Sequence, residues 1–107
     1  MNAGEVPFLE AVQKEWQTIA RDMPASVRMS DSRLSREHRK LCIGVEWPGY
    51  VASITAWEHA TCLDVDILNV NSKQGHILVW GPCEVDGEAS VRLLRFRDYI
   101  QASLGSG

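Results

Sequence analysis

The chain has 107 residues, 45% of them apolar and 23% charged, the proportions of one ordinary globular domain. Two domains of half this length would each fall where a single core fails to hold a fold, and long disordered tracts are excluded except at the ends. A formal net charge of -3, from 14 acidic and 11 basic residues, is too small to select a partner by its field alone. It speaks against a direct nucleic-acid binder, which needs a basic face, and slightly favours a basic protein partner.

Residues 1–107 are therefore read as a single domain, with the ordered part spanning about 5–104. The stretch from Glu5 to Met23 has helical period. Phe8, Leu9, Val12, Trp16, Ile19 and Met23 recur at steps of three and four and fall on one stripe. Pro7 suits the first turn, where its missing N–H is no loss, and Pro24 stops the helix. From Ser26 to Lys40 the chain becomes polar. Val27 and Met29 alternate with Arg28 and Ser30 as in a short edge strand, Ser30-Asp31-Ser32 carries turn chemistry, and Arg33, Arg36, Arg39 and Lys40 form a loose basic group in a hairpin or mobile loop.

Leu41, Ile43, Val45 and Trp47 alternate with Cys42, Gly44 and Glu46, the period of a half-buried strand. Pro48-Gly49 predicts a type II turn. Tyr50 to Trp57 is a second strand, Glu58-His59-Ala60-Thr61 a reversal, and Cys62 to Val70 a third strand. In that strand Leu63, Val65 and Ile67 share one face and Asp64 and Asp66 the other. Leu68 and Val70 break the alternation, which predicts either a re-phasing bulge or an end covered on both sides. Asn71 to Gly75 is a turn of hairpin length, and His76 to Trp80 a further strand.

The last element spans Asp86 to Ser103. Asp86 is placed as N-cap, Glu88 in the first turn and Gly105 as C-terminal cap, with Ala89, Leu93, Phe96, Ile100 and Leu104 on one stripe. The order is helix, four or five strands, helix. Hairpin-length links make the sheet an antiparallel meander, and two one-sided helices need a common apolar surface. The fold class is α+β, with both helices on one sheet face. Gly105-Ser106-Gly107 reads as a flexible end, native or a remnant of cloning.

No catalytic centre emerges. The chain has no phosphate-cradling glycine loop, no Gly-x-Ser-x-Gly and no His-Glu-x-x-His. Cys42, Cys62 and Cys83 lack metal-ligand spacing. They read as free thiols of a reducing compartment, although Cys42 and Cys62 on paired strands would permit a disulfide. His38, His59 and His76 fall in or beside turns. No cofactor, metal or enzymatic activity is expected. With no basic-then-apolar leader before Pro7 and no membrane-length apolar run, the expected location is the cytoplasm.

The candidate partner-binding residues are Asp64 and Asp66, extended to Glu46 and Glu58 as an acidic patch, with Trp57 and Trp80 as anchors. The competing reading of the aspartates is a solvated strand face, and core is the default for all four tryptophans, Trp16 and Trp47 most clearly.

Ile54-Thr55-Ala56-Trp57, a short reversal and then Leu63-Asp64-Val65-Asp66-Ile67-Leu68 resembles the sheet centre of small bacterial immunity proteins, most nearly the TriTu immunity family. The likeness covers roughly Lys40 to Ile100, and Glu58-His59-Ala60 stands where that pattern has a glycine-containing turn. It implies a cofactor-free protein, monomer or homodimer, that binds and neutralises a cognate antibacterial toxin. Toxins of this kind are often basic nucleases, which would suit an acidic face. A small acidic secretion chaperone or adaptor is the alternative, and a small enzyme of unknown type the third.

Overall fold

The computed structural model describes residues 5–105. The expectations for the stretch before Glu5 and for Ser106-Gly107 lie outside them. Helix α1 (Pro7–Arg21) is followed by strands β1 (Arg28–Ser35), β2 (Lys40–Trp47) and β3 (Tyr50–Trp57), one turn of 3-10 helix (His59–Thr61), strands β4 (Cys62–Asn69) and β5 (Gln74–Val79), and helix α2 (Glu88–Gly105). The strands form one antiparallel sheet in the order β1-β2-β3-β4-β5. The fold is the expected α+β meander between two helices.

Both helices cover the same sheet face because each has one apolar stripe to bury. Leu9, Val12 and Trp16 of α1 and Leu93, Phe96 and Ile100 of α2 join Leu41, Ile43, Ile54, Leu63 and Val65 of the sheet in one core. The Trp16 and Phe96 rings stack with centroids 4.9 Å apart, and Phe96 meets Trp47 edge-on at 5.9 Å. Trp47 also donates its indole N–H to Ser103 Oγ at 2.8 Å, tying the β2–β3 turn to the end of α2. The turn itself runs through Gly49 at φ 86°, a backbone angle that glycine tolerates and other residues resist.

Several local expectations are corrected. Ser30-Asp31-Ser32 is not a turn. β1 continues to Ser35, and the register slips between Met29 and Asp31, so Ser30 is a bulge inside an eight-residue strand. Its hydroxyl lies over Gly44, where a Cβ would approach Ser30 Oγ to 2.5 Å. The basic group lies on a hairpin, the first of its two expected settings, and not in a mobile loop: β1 and β2 pair across a turn at residues 36–39. Arg33 pairs with Asp31 at 2.9 Å, Arg36 with Glu10 at 2.6 Å, and Lys40 Nζ sits 5.6 Å from the centre of the Trp57 ring.

Asp86 is not the N-cap of α2. The helix begins at Glu88, after Gly87 at φ 81°, and it includes Gly105 rather than ending before it. Glu88 holds the first turn as expected. It accepts the Glu84 N–H at 3.1 Å and pairs with Arg92. Arg92 in turn donates to the carbonyls of Leu63, Gly81 and Pro82, locking the β5–α2 connection onto the start of β4.

The Cys42–Cys62 pairing is also overturned. Thr55 of β3 stands opposite Cys42 and Trp57 of β3 opposite Cys62, so a whole strand separates the two, and all three thiols are free. Burial pushes the Cys83 thiol above its ordinary value, against the nearby Arg92. Among the described residues no helix is long and apolar enough to cross a membrane.

Candidate protein-binding face

Strand alternation sends every second side chain to the face that the helices leave uncovered. The register sets these residues in rows across the sheet. Lys40, Trp57 and Cys62 form one row; Arg33, Cys42, Thr55 and Asp64 the next. Then come Asp31, Gly44, Ser53, Asp66 and Ile77, and last Arg28, Glu46, Val51 and Leu68. One half of this outer face is polar or charged. The other holds three apolar side chains on neighbouring strands.

Leu68 is the centre of that apolar half. The β3–β4 register is unbroken from Cys62 to Asn69, and Leu63, Val65 and Ile67 stay buried throughout. β4 therefore neither re-phases nor is covered on both sides. Leu68 stands on the outer face directly opposite Val51, and Asp66, one step along, stands opposite Ile77. The irregularity sits instead in β5, where the register passes from Val79 to Ile77 and leaves Leu78 as the extra residue. Val51, Ser53, Asp66, Leu68 and Ile77 line a shallow groove of about 460 Å³.

Within the groove Asp66 is exposed, and its carboxylate has neither hydrogen bond nor ion pair among the described residues. Asp64, on the same face, is engaged: its carboxylate accepts the Gly81 N–H at 2.9 Å and secures the end of β5. Glu46 is engaged as well, paired with Arg28 at 3.0 Å. Trp57 is half-buried beneath the Lys40 ammonium, a favourable placement for a cation over an indole.

The structure thus gathers Glu46, Trp57, Asp64 and Asp66 on one face and leaves two expected residues elsewhere. Glu58 lies on the helix side, where its carboxylate accepts the Leu9 N–H at 3.3 Å. It serves as a cap for the start of α1 supplied from 49 residues away, placing negative charge at the positive end of the helix dipole. Trp80 lies past the end of β5 and is 71% exposed, so it is not core. It lines a separate cleft with Val91, Arg92 and Arg95 of α2. The reversal after Glu58 has no glycine, yet Ala60 and Thr61 adopt φ of 56° and 47°, angles at which glycine is the usual occupant.

Val51, Leu68 and Ile77 are absent from the sequence-derived set. Val51 shares a strand phase with Ser53 and Thr55, and Leu68 with Asp64 and Asp66, so both carry a signal as apolar residues in a polar phase. Ile77 alternates with Gly75 while Gln74 and His76 take the other phase, so the sequence of β5 does not mark it. Among the described residues no group of three or more His, Cys, Asp and Glu side chains converges as a metal site would. No family model matches the chain, and no curated protein or solved structure is significantly similar to it.

Proposed function

We propose that the protein is an immunity protein, which binds a cognate antibacterial toxin and neutralises it by covering the surface the toxin needs. The observation that carries this reading is the outer sheet face, where an uncompensated Asp66 is framed by Val51, Leu68 and Ile77. Exposed apolar clusters on small soluble domains mark interaction sites. A carboxylate bordered by apolar side chains suits an arginine or lysine of a basic partner, because the surrounding groups exclude water and strengthen the pair once it forms.

The rigid framework behind the face suits tight blockade. The groove is built on paired strands backed by a closed core, so little conformational freedom is lost on binding. The partner is a basic toxin, a nuclease among the candidate types, engaged in the cytoplasm without cofactor.

Co-expression with the toxin encoded by the gene immediately upstream tests the proposal. The expected result is rescue of growth and a stable one-to-one complex of toxin and immunity chain on size exclusion. Neither rescue nor complex would remove it.

A further inference from the structure

The two edges of the sheet are built differently. β1 carries Arg28, Asp31 and Arg33 and a bulge at Ser30, the usual devices that keep an edge from pairing with another chain. β5, at the opposite edge, reads Gln-Gly-His-Ile-Leu-Val, with no Asp, Glu, Lys or Arg, and among the described residues it pairs with β4 alone. Its surroundings are apolar: Ile77 is 58% exposed, Trp80 71% and Val91 64%. An uncharged strand edge flanked by bare apolar side chains is a surface made to be covered.

Helix α2 indicates what covers it. Val91, Arg95, Asp98 and Ala102 recur at steps of four, three and four and are all exposed. Val91 and Arg95 share a cleft with Leu78, Val79 and Trp80, so the stripe begins beside the end of β5. The Arg95 guanidinium has no hydrogen bond or ion pair among the described residues, while the Asp98 carboxylate meets only the adjacent Arg97, at 2.9 Å. The stripe reads apolar, positive, negative, apolar, and it is self-complementary when reversed. Turned end for end against a second copy, Arg95 faces Asp98 twice and Val91 faces Ala102 twice. This is the charge arrangement of an isologous two-fold contact.

We infer that the chain forms a symmetric homodimer in which β5 pairs antiparallel with β5 of a second copy, with the two α2 helices antiparallel beside it. The two five-stranded sheets become one continuous sheet, and the exposed backbone groups of each β5 edge gain partners. Trp80 and Val91 are covered at the seam. Val51, Asp66 and Leu68 face outward from both halves, and Ile77 at the rim of the groove lies beside the seam; the dimer is read on the purified chain alone, without toxin.

Sedimentation velocity of the purified chain over a wide concentration series tests the inference. The expected result is a concentration-dependent species of twice the 12.0 kDa chain mass. Arg95→Asp sets like charges against each other at two places and raises the dimer dissociation constant about tenfold or more. The charge-swapped double variant, Arg95→Asp with Asp98→Arg, restores it. Trp80→Lys beside the end of β5, outside the groove, dissociates the dimer by a separate route, and circular dichroism confirms that each variant is folded. A chain that is monomeric at every concentration, or a dimer indifferent to both the charge reversal and Trp80→Lys, would overturn the inference.

Discussion

Phe96→Ala removes the ring at the junction of both helices and the sheet. Phe96 is fully buried, stacks on Trp16 of α1 at 4.9 Å with 17° between the planes, and meets Trp47 of β2 at 5.9 Å. Truncating a buried phenylalanine costs about 3–5 kcal/mol through lost burial and the cavity left behind. The upper half of that range applies here, because two flanking indoles lose their partner together and rigid rings collapse poorly into the space. A domain of this size has only about 5–15 kcal/mol to lose. Equilibrium urea unfolding followed by tryptophan fluorescence reads the effect, with the midpoint falling by about 2 M. Phe96→Leu fills most of the cavity and costs about half as much. A loss under about 1 kcal/mol for Phe96→Ala would refute the claim that both helices and the sheet share one core.

Further outcomes follow from individual contacts. Glu58→Ala leaves the start of α1 uncapped and lowers stability by about 1 kcal/mol, whereas Asp66→Asn leaves the thermal midpoint unchanged; differential scanning calorimetry on the two variants checks both. Gly44→Ala presses a methyl group against the Ser30 hydroxyl in the β1 bulge and destabilises, while adding Ser30→Ala recovers most of the loss, a coupling read by a double-mutant cycle in urea. Glu88 is held below its ordinary carboxylate value of 4.5, first by the Glu84 backbone N–H and then by Arg92. A carboxylate with a depressed folded-state value contributes stability above its unfolded value and loses it as pH falls through the folded one. Glu88→Gln is therefore destabilising at neutral pH, and its gap from the parent closes in acid.

The elements that could be read in advance are those whose partner is implied by their own period. The stripes of α1 and α2, the alternation of β2 and the Pro48-Gly49 turn each announce a buried face, and each is where the pattern placed it. The failures share a physical origin: they turn on a contact made by a residue distant in sequence or on a shift of strand register. Ser30-Asp31-Ser32 has turn residues, but pairing with β2 converts them into a bulge. Asp86 has the chemistry of a cap, but Glu88, clamped by Arg92 and the Glu84 N–H, begins the helix. Glu58 resembles a surface acid until α1 docks its first turn on it.

The candidate face was legible in part for the same reason. Alternation set Glu46, Asp64 and Asp66 outward, yet it could not show that Arg28 and the Gly81 N–H engage two of them and leave the third alone. Leu68 broke the pattern in the sequence. With no bulge in β4 and no second layer over it, the break is an apolar side chain on an open face, flanked by Val51 and Ile77.

Titration calorimetry with the toxin proposed as partner, comparing the parent chain with Leu68→Glu, probes the outer face most directly. Leu68 is 39% exposed, so the substitution leaves the fold and its melting temperature intact. Affinity falls by at least about thirtyfold, the effect of spoiling a central interface residue. A folded Leu68→Glu chain that binds toxin as tightly as the parent would contradict the assignment of this face.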